Sequence, residues 1–272
     1  MGYTGYPMTV DHELSSARIT GLRPPSHWFR HPDYRLVPGD TFGGPQLLGE
    51  GPLETFELPA PLVPVVVGPD AWTDEGALKL CRSIGHMGIG KSDLLAPVPL
   101  TKAMPLAEDT TGHSESLGDF RTAVGAVAAL VLADRAVSGD IPIGAVQSSW
   151  PTAAPWDAPA SLIEARELLT EEIRRGLLGL TIGVGSTPKD SGNSAVFLCL
   201  EGRIGIYAIC ILELATTLME SRPYKACGRA DCGKLFRSGG VRGPGKRRGD
   251  STYCSESCRA AEASRRYRAR LP

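Results

Sequence analysis

The sequence predicts an α+β fold: a mixed, helix-predominant body at residues 51–221, then a small four-cysteine module at residues 222–272. Residues 1–50 precede both as an extended or poorly ordered segment. Three observations carry this expectation. Four of the seven cysteines fall within 32 residues near the C-terminus, residues 117–137 form a long run of Ala, Val and Leu, and short apolar runs elsewhere are bounded by turn residues. A chain of 272 residues, 42% hydrophobic and 22% charged, can bury one ordinary core and still carry an appendage.

Residues 1–50 are rich in Gly, Pro and aromatic side chains and show no sustained period. Residues 53–58 (LETFEL) and 62–67 (LVPVVV) read as short strands, the second placed at a sheet edge by Pro64. Residues 74–84 suit a short helix, and 117–137 a long one whose composition marks it as a core element. The next helix, 159–178, has Asp157 or Ala158 near its cap and Pro159 in its first turn. Its apolar side is Leu162, Ile163, Leu168, Leu169 and Ile173; Glu164, Glu167, Glu171 and Glu172 form the solvated side with Arg166, Arg174 and Arg175. Residues 180–184 and 195–200 fit strands or the ends of apolar helices, which periodicity does not separate. A helix over 203–220 then leads through Arg222-Pro223 into the cysteines. No internal repeat interrupts this order.

The formal net charge of −1 conceals a division along the chain. From residue 222 onward there are 14 Lys+Arg against 4 Asp+Glu, a net of +10, while the other 15 and 26 give residues 1–221 a net of −11. An acidic body with a basic tail is a common pattern among nucleic-acid binders, because phosphates attract the tail. Against that stands the plainer reading of a solvated charge run. Cys81, Cys199 and Cys210 stand alone in apolar surroundings, so the cysteine pattern suits a metal site in a reducing compartment rather than a disulfide framework. The first residues lack a basic stretch followed by an apolar one, and the longest apolar run, 204–219, contains Glu213 and is short for a membrane span. A cytoplasmic protein with no membrane partner is the expectation.

Cys227 and Cys232 are separated by four residues, Cys254 and Cys258 by three, with twenty-one between the pairs. Each pair supplies two thiolates from one local turn, which is what a tetrahedral zinc ion requires. Gly228 and Gly233 permit the turn of the first pair, and Ser255 can cap a helix that holds Cys258. A knuckle and a helix start together define a treble-clef finger with one structural zinc. Residues 234–237 and 251–253 read as the two strands of a hairpin around a basic loop, with Phe236 and Tyr253 as the small core. A core of that size depends on metal for its folding. With every ligand position taken by cysteine there is no open site for catalysis, and no Ser/His/Asp set or nucleophilic cysteine stands out, so no enzyme is expected.

ACGRADCGKLF followed by YCSESCRAAEASRRYRAR resembles the C-terminal zinc finger of CGNR-type proteins, bacterial proteins grouped with transcriptional regulators, and of related actinobacterial chains. The resemblance covers about residues 203–272. It implies a zinc-dependent DNA-binding protein of regulatory role. Where that family has Gly-Asn-Arg after the last ligand this chain has Arg259-Ala-Ala, so the finger class carries over and the body's identity does not.

Beyond Cys258, Arg259, Arg266 and Arg270 fall at spacings of seven and four on one helical face, flanked by Arg265 and Arg268. With Arg242, Lys246, Arg247 and Arg248 in the loop, cations would approach a duplex from two sides of the zinc site. DNA is the first-ranked partner; RNA and an acidic protein surface are the alternatives. A rival lies in the body: Gly85-His-Met-Gly-Ile-Gly90-Lys91-Ser92 satisfies the phosphate-binding pattern, with Lys91 for the terminal phosphate, Ser92 for a metal and Asp134 as a candidate for the magnesium-linked strand. Pro97 and Pro99 deny that loop its following helix, and Asp134 falls inside the helix of 117–137. His27 and His31, four apart but followed by Pro32, read as surface or loop residues.

Overall fold

The computed structural model describes residues 27–39, 44–52, 54–87, 98–99, 114–178, 180–187, 195–202, 205–237 and 251–269. Strand β1 (His27–Arg30) is followed by β2 (Asp33–Val37), β3 (Gln46–Glu50) and β4 (Glu54–Glu57). β1 pairs antiparallel with β4, and β2 with β3. The run 62–67 is not the strand that its β-branched composition suggests. It forms a helical turn, α1 (Val63–Val66), with Pro64 in the first turn. Proline is well suited there, since its missing N–H would lack a partner in any case. The N–H of Leu62 donates instead to the Glu213 carboxylate at 2.8 Å, and Leu62, Val63 and Val66 are fully buried. Packing overrides strand propensity at this point.

Helix α2 (Asp74–Ile84) is capped by Thr73, whose hydroxyl accepts from the Gly76 N–H, and is ended by Gly85 at φ +82°. Strand β5 (Val98–Pro99) and β6 (Ser114–Ser116) come next, β6 adding to β3. The long helix α3 (Leu117–Val137) matches the predicted span, with Ser116 as its cap, and is buried over most of its circumference. Helix α4 (Ile143–Ser148) turns the chain back along α3. Helix α5 (Leu162–Leu178) begins three residues later than predicted. Its cap is Ser161: the hydroxyl accepts from the Glu164 N–H at 3.2 Å, while the Glu164 carboxylate reaches one residue past the cap to accept from the Ala160 N–H at 2.8 Å. Leu169 is buried, whereas Leu162 and Ile163, predicted on the apolar side, are exposed in the first turn. Glu172, predicted solvated, is buried and paired with Arg175 at 2.7 Å.

The two ambiguous apolar runs are strands, β7 (Leu180–Thr187) and β8 (Ala195–Gly202), paired antiparallel with β5 on the far side of β8. Helix α6 (Ile206–Met219) follows, apolar on nearly every face and buried against α5 and α3. Gly176 of α5 lets α6 approach, since a Cβ there would lie 2.8 Å from Ile211. The chain closes with β9 (Tyr224–Ala226), β10 (Leu235–Arg237) and α7 (Glu256–Arg268). Among the described residues, no helix is long and apolar enough to cross a membrane.

Candidate metal centre

The four-cysteine module joins the body through β9. Tyr224 is fully buried among body residues, its hydroxyl donating to Glu213 and its N–H to Asp134 at 3.4 Å. Glu220 accepts from Arg237 at 3.0 Å and lies 3.1 Å from Arg222. Burial lifts the Asp134 carboxyl to about 6 and raises that of Glu213, because both sit in a poorly solvated seam.

Three residues after Tyr224 comes the first ligand candidate. Strand β10 pairs antiparallel with β9, Leu235 opposite Ala226, and not with 251–253 as the sequence suggested. Residues 251–253 lie beside the turn without entering a strand, the Thr252 carbonyl accepting from Gly228 N–H at 2.8 Å. Gly228 is required by that approach, since a Cβ would lie 2.6 Å from the Thr252 side chain, whereas Gly233 takes the left-handed φ of +59°. Cys227 N–H donates to the Lys234 carbonyl and Cys232 N–H to that of Arg229, closing the knuckle. On the other side the Ser255 hydroxyl accepts from the Cys258 N–H at 3.2 Å, so Cys258 stands in the first turn of α7 as predicted.

These two supports bring the four sulfurs together. Cys232 to Cys254 is 3.6 Å, Cys254 to Cys258 3.5 Å and Cys258 to Cys232 3.7 Å, and all four sulfurs lie within 4.8 Å of one another. A disulfide would require about 2.05 Å. Metal–sulfur bonds of ~2.3 Å in a tetrahedron place the sulfurs about 3.8 Å apart, so the arrangement fits one metal ion. Cys227 and Cys258 are buried and the other two half-buried. Burial pushes the Cys254 thiol up to about 12, while hydrogen bonds from Ser255 and then Cys254 draw Cys258 down to about 6. A bound metal would stabilise thiolate at all four sulfurs.

Of the predicted basic residues, Arg259, Arg265, Arg266 and Arg268 lie on α7 with exposed side chains, while Arg242, Lys246, Arg247, Arg248 and Arg270 fall outside the described residues. Arg259 pairs with Glu256 at 2.6 Å. Arg265 grips both carboxylate oxygens of Glu262, at 2.8 and 2.6 Å, and Arg266 bonds one of them at 3.0 Å. Those hydrogen bonds, Arg265 first, hold the Glu262 carboxyl down to about 2. Glu262 went unnoticed in the sequence although E-x-x-R-R gives the helical spacing. A cleft of about 860 Å³ also opens between the cysteines and Pro61–Val65, and Arg229, Lys234 and Arg237 along it were likewise missed.

The rival phosphate loop begins at Gly85, which ends a helix rather than the strand that such a loop follows; its Gly88–Ser92 portion, with Lys91, is outside the described residues. Asp134 is buried within α3 and accepts from Tyr224. His31 is not a surface residue: it is buried, with Nδ1 2.7 Å from the Gly51 carbonyl and its ring against Gly49. Cys81 and Cys210 are buried core thiols, as their surroundings suggested. No family model, curated protein or solved structure matches this chain.

Proposed function

We propose that the four cysteines hold a single zinc ion in a treble-clef finger, and that the arginines of α7 beside it bind duplex DNA in a regulatory role. The near-tetrahedral sulfur set carries the metal half of this reading, since four soft thiolates without an open position suit a structural zinc. The DNA half rests on the net +10 of residues 222–272 and on the exposure of Arg259, Arg265, Arg266 and Arg268 along one rigid helix. Guanidinium groups on a fixed helix position the protein on phosphates; sequence readout requires side chains at base edges.

Elemental analysis of the full chain purified under reducing conditions is expected to give one zinc per chain. Iron, or no metal with four titratable thiols, rejects the finger. The DNA reading is tested by the salt dependence of binding, in which log affinity falls against log salt by about 0.9 per phosphate contacted. Replacing Arg265, Arg266, Arg268 and Arg270 by alanine should flatten that slope by a few units with zinc retained. An unaltered slope removes α7 as the contact surface, and selection from mixed DNA and RNA pools separates the two nucleic acids.

A further inference from the structure

A second cleft, of about 500 Å³, lies against α3 and shares Leu235 of β10 with the first. One wall is a stripe of α3 at helical spacing, Ala128, Val131, Leu132 and Arg135; the facing wall is the turn 149–152, which carries Trp150 and the hydroxyls of Ser149 and Thr152, and Val67, Trp72 and Leu235 complete the lining. Volumes of ~300–1,000 Å³ with apolar walls and few polar groups are those of small-molecule sites.

The cleft is built rather than incidental. Gly125, three residues before Ala128 on α3, lets the 150–156 turn press onto the helix; a Cβ there would fall 2.7 Å from the Ala153 carbonyl carbon. Trp150 is anchored by its indole N–H, which donates to the Trp156 carbonyl at 2.8 Å, and Ala154 N–H closes the turn on Pro151. Arg135 is fixed in the same way. Its Nε donates to Asp140 at 2.8 Å and its side chain is only 15% exposed, yet its two terminal amino groups have no hydrogen-bond partner among the described residues. The described lining contains no carboxylate.

We infer that this cleft binds a small planar aromatic carboxylate, with the ring against Trp72, Trp150 and the α3 stripe and the carboxylate on the terminal amino groups of Arg135. Two indoles offer flat apolar surface to a ring, and a guanidinium oriented through Nε presents a fork that matches a carboxylate. Asp140 orients the guanidinium and takes one of its five N–H donors. The inference is independent of what the finger binds.

The test is isothermal titration of the full chain with 2-naphthoate and with 2-naphthamide, its neutral analogue. One naphthoate should bind per chain, and the amide at least about tenfold more weakly, as expected when a charge-assisted hydrogen bond is lost. Arg135→Gln should weaken naphthoate by a similar factor while leaving the amide unchanged. Ala128→Phe, which fills the cleft from the half-exposed face of α3, should abolish binding of both with the thermal midpoint preserved. It decides the matter even where Arg135→Gln loosens the fold. Absence of saturable naphthoate binding at millimolar concentration, equal affinity for acid and amide, or binding that survives Ala128→Phe in a folded protein each overturns the inference.

Discussion

The body and the four-cysteine module are held together by different physics. In the body, α3, α5 and α6 bury apolar side chains against one another, and Phe120, Val127, Leu130, Ile209 and Ile211 are all essentially inaccessible to water. Among the described residues of the four-cysteine module, Phe236 and two of the cysteines are the buried apolar side chains besides Tyr224, which belongs to the body's core instead. A region with so little apolar burial must draw its order from something other than packing. Here the sources are a metal-ready sulfur cluster at one end and a tyrosine latched between buried carboxylates at the other.

The largest effect expected from that contrast is on metal removal. Structural zinc in small fingers contributes on the order of 10 kcal/mol, comparable to the whole stability of a domain. Chelation, or Cys254→Ser, should abolish hydrogen-exchange protection in β10 and α7 while amides of α3 and α6 remain protected. Loss of protection in all four elements together would show that body and finger fold as one unit.

The latch comes next. Tyr224→Phe removes the hydroxyl that donates to Glu213 and leaves a buried carboxyl lacking that donor. Such a loss costs about 1–3 kcal/mol, read as a lower urea midpoint with metal content unchanged. If the midpoint does not move, the tyrosine holds by ring packing alone.

The seam should also make stability depend on pH. Asp134 has a folded pKa of about 6, above the ordinary carboxylate value of ~3.9. The folded state therefore binds the extra proton, and the stability this adds is full below about pH 4 and lost as pH rises through 6. Glu213 shifts in the same direction. Asp134→Asn keeps an acceptor for the Tyr224 N–H but does not titrate, so its stability relative to wild type should improve by up to ~3 kcal/mol between about pH 4 and pH 7. Taking the difference between the two proteins at each pH cancels acid release of metal. A difference that is constant with pH excludes Asp134 as the titrating group.

What the sequence revealed follows the same division. The cysteine spacing, the Ser255 cap and the α3 span are local signals, and the structure places all of them as read. Two of the errors are tertiary. Residues 62–67 have strand composition, but Glu213, 151 residues away, supplies the acceptor that lets them start as a helix. The pairing of β10 with β9 rather than with 251–253 depends on β9 being anchored through Tyr224, and no spacing announces that. Ser161 as the α5 cap was readable from its Glu164 three residues on, as was Glu262 from its two following arginines.

The smallest effect concerns that last residue, and it sharpens what the finger's charge is for. Glu262 is buried beneath Arg265 and Arg266 and bonded to both, so it neutralises part of the helix's charge and also fixes the direction of two guanidiniums. Glu262→Gln separates the two roles. Removing the carboxylate adds one net positive charge to the face, which should steepen the salt slope of DNA binding by about one phosphate equivalent, roughly 0.9. It also frees two side chains whose ordering then costs about 0.5–1.5 kcal/mol each on binding, a cost that salt does not screen. The variant should therefore bind more tightly than wild type at low salt and more weakly at high salt, its line crossing that of the parent. A line that coincides with that of the parent would mean that neither arginine meets a phosphate, and one displaced downward in parallel that Glu262 serves orientation alone.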